Sequence, residues 1–305
     1  MIIMIRYLTI LLFCFALQAQ SFAQSVDDLV QKAYKLQVAK NHEEAIIVIN
    51  KALESDGGDK NELVWHVRGF VYKDLFVKNR SDEVSSDYRS EAVLSFLNSI
   101  KFDKKDRYKQ QNEKALSYLA VSFFNDASDL IKEHASDRID LAEGHYYSYR
   151  EIIIQLNPDT SLVKKDVEYF LAMSTAHRKI YESDREKHDS HWELSNEYMN
   201  KVLDLDPDSF EAWFSKGVSY YNRGAYSIER LPYVTIHDLM EIQSESMRSI
   251  EAALPFMMRA YEIDSTKIDV IKALKVITYN LNKEEESDRY QQLIDEQGAD
   301  KNKQY

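Results

Sequence analysis

The sequence predicts an all-α protein built as an array of helical hairpins. The 305 residues include only seven glycines and four prolines, whereas a sheet protein of this length would need far more turn residues. Because turn residues are scarce while apolar residues make up 44% of the chain, helices are the default expectation. Similar helix ends also recur along the chain, and such repetition is typical of repeat architectures.

The recurring helix ends share one layout, a short apolar stretch that stops at Asp or Asn. Five segments have this layout: 52–56, 99–103, 153–157, 202–206 and 260–264. Pro158 and Pro207 directly follow two of them, and a proline cannot continue a helix. Seven residues before four of the segments stands a small residue with an apolar partner four positions later, which marks one helix face. These small residues are Ala45, Ala92, Ser195 and Ala253.

Upstream of two helix ends the similarity is stronger, because residues 65–72 and 213–220 both read W-x2-[KR]-G-x2-Y. This motif resembles the tetratricopeptide repeat (TPR) family, whose pattern is W-x2-L-G-x2-Y followed by A-x3-F and a proline. Both copies carry a basic residue where the family has leucine. Glycine at this position lets two antiparallel helices approach closely, while Trp and Tyr fill the flanks. The signature residues are Trp65, Gly69, Tyr72 and Ala92 in one copy and Trp213, Gly217, Tyr220 and Ala253 in the other.

The resemblance implies a right-handed α-solenoid of about five TPR-like hairpins followed by a C-terminal capping helix pair. We expect the hairpins near residues 26–59, 62–106, 113–159, 163–208 and 210–266, and the cap near 267–298. The helix ends lie 47, 54, 49 and 58 residues apart, farther than the family period of about 34. We therefore expect loops or extra helical turns near residues 78–90, 126–141 and 225–247.

The N-terminus has the layout of a secretory signal peptide. Arg6 precedes an apolar run over residues 7–17, and Ser21 and Ala23 stand at the positions that a signal peptidase requires. The run of 11 residues is shorter than the roughly 20 that cross a bilayer. We therefore expect residues 1–23 to be removed, leaving residues 24–305 without a transmembrane segment in the periplasm, the extracellular space or another part of the cell envelope.

Cysteine and charge exclude several classes of function. The only cysteine, Cys14, lies in the predicted signal, so the mature chain would have no disulfide, thiolate metal site or catalytic thiol. Removing Arg6 changes the net charge from −12 to −13, and the excess lies beyond residue 110, where 23 basic residues face 36 acidic ones. Such an acidic chain is a poor partner for nucleic acid or anionic lipid, because both require a basic surface.

No common catalytic pattern occurs in the sequence. The chain has no GxGxxG or GxxxxGK[ST] phosphate loop, no GxSxG nucleophile elbow and no HExxH zinc helix. We therefore predict a protein that is not an enzyme and that needs no cofactor and no metal.

Stacked hairpins leave a concave face that is built mainly from their first helices, and helical repeat proteins bind peptides or partner proteins there. If Trp, Gly and Tyr of each motif face the second helix, the neighbouring flank of the first helix is exposed. This predicts a peptide groove lined by Tyr34, Gln37, His66, Phe70, Lys73, Phe124, Asn125, Phe214, Val218, Tyr221 and Asn222. The sequence thus favours a protein–protein interaction scaffold of the bacterial cell envelope, with a partner of unknown identity and an oligomeric state that the sequence does not fix.

Two clusters keep a glycan-binding or metal-binding protein open as the alternative. Tyrosines at 146, 147, 149, 220 and 221 could stack on sugar rings, although packing between helices is the favoured explanation for them. His188 and His191 are three residues apart and could share a helix face as metal ligands, with a carboxylate nearby. The candidate carboxylates are Glu182, Asp184, Asp189 and Glu193, and the competing interpretation is a polar connection between two helices.

The position of Ser21 and Ala23 predicts that the mature protein begins at Gln24. Intact-mass spectrometry of the protein isolated from the cell envelope measures this directly. A mass that retains Met1 would contradict export by this signal.

Overall fold

A computed structural model of the chain describes residues 25–80, 85–229 and 235–302. Within these ranges the regular structure consists of twelve α-helices and one short 3₁₀ helix, with no strand. The predicted all-α class is therefore confirmed for this part of the chain. The predicted signal peptide, residues 1–23, lies outside the described residues.

The helices follow one another with short connections. They are α1 (Val26–Val38), α2 (His42–Glu54), α3 (Glu62–Lys78), α4 (Ser85–Phe102), α5 (Lys109–Glu133), α6 (Ile139–Leu156), α7 (Val163–Ser183), α8 (Ser190–Leu205), α9 (Phe210–Glu229), α10 (Ile236–Ile263), α11 (Ile268–Asn280) and α12 (Glu284–Asn302). The 3₁₀ helix, Gly58–Lys60, lies between α2 and α3.

Local capping chemistry sets many helix ends. The side chain of Ser25 accepts a hydrogen bond from the backbone at the start of α1, and Asn61 does the same at the start of α3. Thr235 and Asp238 form a reciprocal capping box at the start of α10. Four of the five Asp or Asn residues that close the recurring segments directly follow a helix, namely Asp103, Asn157, Asp206 and Asp264. In the first segment, α2 already ends at Glu54.

Where the structure describes the expected insertions, much of the extra length is helix. The helix α3 continues to Lys78 and α4 begins at Ser85. The helices α5 and α10 have 25 and 28 residues, respectively. The additional residues therefore mainly lengthen the paired helices instead of forming long irregular loops.

The chain divides into two compact units. Unit 1 comprises residues up to Phe124 together with Ser148–Pro158, and unit 2 comprises Asn125–Tyr147 and the residues from Asp159 onward. In unit 1, α1 packs on α2, α2 on α3 and α3 on α4, and α1 also contacts α3. In unit 2, α7 packs on α8, α8 on α9 and α9 on α10. The same unit continues with α10 on α11 and α11 on α12, and α9 also contacts α11.

Helices approach each other closely at glycines of the motif helices. A β-carbon on Gly69 in α3 would lie 2.6 Å from the ring of Phe96 in α4, and one on Gly217 in α9 would lie 2.6 Å from the Met257 side chain in α10. Two turns after Gly217, a β-carbon on Gly224 would lie 2.7 Å from the backbone oxygen of Ser246. The later glycine of α9 meets the earlier residue of α10, so the two helices are antiparallel.

A basic residue before each motif glycine is buried between three helices. In unit 1, Arg68 donates hydrogen bonds from Nε to Asn50 Oδ1 at 2.9 Å and from Nη1 to Ser95 Oγ at 2.7 Å, and its Nη2 pairs with Glu91 Oε2 at 2.7 Å. In unit 2, Lys216 donates from Nζ to Asn200 Oδ1 at 2.5 Å. Both cations thus link the motif helix to an asparagine on the preceding helix.

The tryptophans of the two motif copies also make equivalent contacts. The indole Nε1 of Trp65 donates to the backbone oxygen of Asp59 at 2.8 Å, and that of Trp213 donates to the backbone oxygen of Pro207 at 2.9 Å. Both acceptors lie six residues before their tryptophan. The two segments therefore share contacts as well as sequence.

The glycine contacts predict a stability difference between two Gly→Ala substitutions. Phe96 is fully buried and cannot swing away, so we expect Gly69→Ala to lower the free energy of unfolding by about 1–3 kcal/mol. Gly144 lies inside α6, and among the described residues nothing lies within 4 Å of a β-carbon there. Gly144→Ala should therefore be neutral, or stabilise by up to about 1 kcal/mol through higher helix propensity. Urea unfolding followed by circular dichroism measures both, and equal effects would contradict the close approach at Gly69.

Candidate binding groove

A concave surface of unit 1 is lined mainly by residues of α1, α3 and α5. Three adjoining cavities of about 320, 480 and 550 Å³ form it. The first two share Phe70 and Gln111, and the last two share Lys73 and Val77. We call this surface the unit-1 groove. Its lining residues are Tyr34, Gln37, Val38, Lys40, His42, His66, Val67, Phe70, Lys73, Asp74, Val77, Lys78, Gln111, Lys114, Ala115 and Tyr118.

Helical spacing explains why these side chains come together. On α3, His66 and Phe70 are four residues apart, and Val77 follows Phe70 seven residues later, so all three share one helix face. On α5, Lys114 and Tyr118 are four residues apart and share a face in the same way. The opposite faces of α1 and α3 are taken up by the buried core of unit 1.

Large apolar side chains are exposed along the groove. The exposed fractions are 54% for Tyr34, 62% for Val38, 48% for Val77 and 44% for Tyr118. Phe70 lies deeper and packs edge to face on Phe96 with ring centroids 5.0 Å apart. Several exposed apolar groups around one concavity are typical of an interaction site, whereas single ones are normal on any surface.

The only carboxylate that lines the unit-1 groove has both oxygens engaged. Asp74 Oδ1 accepts a hydrogen bond from Lys73 Nζ at 2.9 Å, and Oδ2 accepts one from Gln37 Nε2 at 2.7 Å. These contacts hold the polar side chains of α1 and α3 in place. Consequently, little of the carboxylate's hydrogen-bonding capacity is left for a ligand.

His66 is held in one tautomer. Asn112 donates from Nδ2 to Ser99 Oγ at 2.9 Å, which leaves its Oδ1 to accept from His66 Nδ1 at 2.8 Å. Burial lowers the pKa of His66 below its ordinary value, although the hydrogen bond with Asn112 opposes this. We therefore assign His66 as neutral at pH 7, with its proton on Nδ1.

The structure brings five of the predicted groove residues together, namely Tyr34, Gln37, His66, Phe70 and Lys73. Sequence reasoning missed the other eleven lining residues, among them Val38, Val77, Gln111, Lys114 and Tyr118. The helical spacing after Tyr34 and Phe70 signals the two valines. No comparable signal marked the residues on α5, because the two groove residues predicted there, Phe124 and Asn125, lie further along that helix.

The other predicted groove residues lie elsewhere. Phe124 packs against Tyr149 with ring centroids 5.1 Å apart, and Asn125, the next residue, is exposed and belongs to unit 2. Phe214, Val218 and Tyr221 are half-buried against the core that α10 and α11 form in unit 2. Their neighbour Asn222 is also half-buried.

The next hairpin of unit 2 accounts for the burial of this face of α9. Tyr221 accepts a hydrogen bond at its hydroxyl from Asn280 Nδ2, the last residue of α11, at 3.0 Å. Phe214 stacks on Phe210 with ring centroids 5.6 Å apart. These rings therefore contribute to internal packing.

The tyrosine cluster is mostly engaged in packing. Tyr146 is fully buried, stacks on Tyr169 with centroids 3.7 Å apart and donates from its hydroxyl to Asp166 Oδ1 at 2.7 Å. Tyr220 is half-buried between Trp192 and Phe256, with ring centroids 5.0 and 5.1 Å away. Neither tyrosine offers an open ring face for a sugar.

The histidine cluster has a partner that the sequence did not reveal. His191 Nδ1 lies 2.7 Å from Nδ1 of the buried His177, whereas the ring centroid of His188 is 5.6 Å from that of His191. Among the described residues, no group of three or more His, Cys, Asp or Glu side chains could hold a metal ion. The two facing nitrogens can share only one proton, so at least one of the two histidines is neutral.

Burial also disfavours charge on this pair. It lowers the pKa of His177 to about 4, and the neighbouring His191 adds to the effect. The pKa of His191 is lowered as well, first by burial and then by His188. Asp140 opposes the shift of both histidines.

The chain matches no family model, and a search of curated proteins finds no match either. Among the described helices, none combines the length and the apolar character that a membrane span requires.

The histidine pair predicts how the stability of the protein depends on pH. The unfolded chain binds a proton at His177 near pH 6.5, whereas the folded chain binds it only near pH 4. The contribution of neutral His177 to the free energy of unfolding is therefore present above pH 6.5 and is lost as the pH falls towards 4, by up to about 1.4 kcal/mol per pH unit. We expect the melting temperature to fall less between pH 7 and pH 5 in His177→Gln than in the wild type. Equal falls would contradict the assigned role of the pair.

Proposed function

We propose that this chain is a non-catalytic interaction scaffold that holds a peptide, or an exposed segment of a partner protein, in the unit-1 groove. One observation carries the proposal. Tyr34, Val38, Val77 and Tyr118 expose apolar surface around the same concavity, while the helices that present them are fixed by a buried core. Exposed aromatic side chains on rigid elements are the usual anchors of protein recognition.

We further propose that the helix pairs are TPR-like repeats of a right-handed solenoid. The two motif copies support this with three equivalent contacts: a glycine at a close helix approach, an indole bonded to a carbonyl six residues earlier, and a buried cation bonded to an asparagine on the preceding helix. Within each unit a motif helix also contacts another first helix, as α1 and α3 do in unit 1 and α9 and α11 do in unit 2. Such contacts are expected of stacked hairpins.

The proposal includes export of the chain to the cell envelope and a role without catalysis. The layout of residues 1–23 supports export to the periplasm or to another part of the cell envelope. A role without catalysis or cofactor is supported by the absence of nucleotide, hydrolase and zinc-protease patterns from the sequence. Binding in such a scaffold depends on groove shape and exposed anchors.

The test starts from peptides selected on the purified chain, from Gln24 onward, out of a phage-displayed library of random dodecapeptides. The double variant Tyr34→Ala with Tyr118→Ala removes two exposed groove rings without opening the core. Loss of one aromatic anchor typically costs about 2 kcal/mol, which is about thirtyfold, so we expect the affinity of the double variant for a selected peptide to fall by at least that factor. Fluorescence anisotropy measures the affinity, and circular dichroism checks that the helices persist.

The matched control removes two exposed apolar side chains of unit 1 that do not line the groove. Ile47 on α2 and Leu94 on α4 are 68% and 49% exposed. Ile47→Ala with Leu94→Ala should leave the affinity unchanged. Failure to select any peptide, or equal losses in the two double variants, would refute the unit-1 groove as the binding site.

A further inference from the structure

The lining of the unit-1 groove has a charge opposite to that of the chain as a whole. The chain carries a formal net charge of −12. The groove nevertheless contains four lysines and a single carboxylate. The lysines are Lys40, Lys73, Lys78 and Lys114, and the carboxylate is Asp74.

The charged contacts within the unit-1 groove leave part of this positive charge uncompensated. Asp74 is the partner of Lys73, and Lys78 pairs with Glu43 outside the groove at 2.5 Å. Lys40 and Lys114 form no salt bridge with any of the described residues. An anionic group bound near Lys114 therefore need not displace an existing partner.

Apolar and cationic groups alternate within one cavity. Phe70, Val77 and Tyr118 share the cavity of about 480 Å³ with Lys73 and Lys114. A purely apolar ligand would leave the Lys114 ammonium group beside it without a counter-charge. A basic ligand would bring like charges together, which is unfavourable in a partly desolvated site.

We infer that the occupant of the unit-1 groove is an acidic amphipathic peptide segment, which places apolar side chains against Phe70, Val77 and Tyr118 and Asp or Glu side chains beside Lys114 and Lys40. This inference rests on the proposed function and specifies its partner. Residues 24–110, which supply most of the groove, carry 15 basic and 15 acidic side chains, so their net charge does not repel such a segment.

The apolar contacts and the lysines have different roles in this arrangement. Exposed ion pairs contribute only about 0.2–1 kcal/mol, which is at most about fivefold in affinity per pair. Burial of apolar side chains therefore supplies most of the affinity, and the lysines select acidic segments over neutral and basic ones.

The experiment uses the selected phage-displayed dodecapeptides and a charge reversal with a matched control. Lys114→Glu reverses an exposed cation in the groove, and Lys51→Glu makes the same change on α2, where Lys51 is exposed and does not line the groove. Each selected peptide is synthesised in its acidic form and in a form with Asp→Asn and Glu→Gln. Affinities for all three proteins are measured by fluorescence anisotropy.

We expect the selected peptides to combine apolar residues with Asp or Glu, and the amide forms to bind the wild type about fivefold more weakly. Lys114→Glu should weaken the acidic form about five- to tenfold and should leave the amide form nearly unchanged, whereas Lys51→Glu should affect neither. Such coupling between one protein charge and the peptide charge would not follow from a change in folding alone.

Four results would overturn the inference. Selected peptides that are neutral or basic, or that bind the Lys114→Glu variant as well as the wild type, would leave the proposed function standing and remove the acidic partner. Selection of no peptide would remove both. A dimer of the wild type in sedimentation velocity that Tyr118→Ala dissociates would assign the unit-1 groove to a second copy of this chain.

Discussion

The close approach of two antiparallel helices at a motif glycine is the constraint on which the rest of unit 1 depends. At Gly69 the ring of Phe96 occupies the space that a β-carbon would need. This contact brings α3 and α4 close together, and Ala92 of α4 is fully buried in the core that both helices share. The neighbouring face of α3, which carries His66 and Phe70, lines the groove.

The buried cation next to each motif glycine adds specificity to this packing. A leucine at position 68 would fill the space between the helices in any of several registers. Arg68 instead requires an acceptor on α2 and others on α4, and it finds them in Asn50, Ser95 and Glu91. A buried guanidinium without these partners would be strongly unfavourable, so the polar network favours one pairing of three helices.

The unit-1 groove and the equivalent face of α9 differ in the large apolar side chains that stay exposed. Around the groove Tyr34, Val38, Val77 and Tyr118 are exposed, whereas Phe214, Val218 and Tyr221 of α9 are half-buried against the core that α10 and α11 form. Tyr221 illustrates the second situation, because its hydroxyl is bonded to Asn280 at the end of α11. A shared motif therefore does not give each first helix the same role, since the helix that packs next to it decides what stays accessible.

The sequence by itself determined the helical class and four of the five recurring helix ends, because these depend on contacts between residues close in the chain. The repeated motif also identified the glycine and tryptophan positions of its two copies. Spacing within one helix predicted part of the groove lining on α1 and α3. Only the tertiary structure placed Lys114 and Tyr118 beside Phe70, because α5 shares its buried core with residues of α3, α4 and α6. The same holds for His191, whose hydrogen-bond partner is His177 on the neighbouring helix instead of the nearby His188. Local periodicity fixes which residues share a helix face, but it does not show which face of another helix will pack against it.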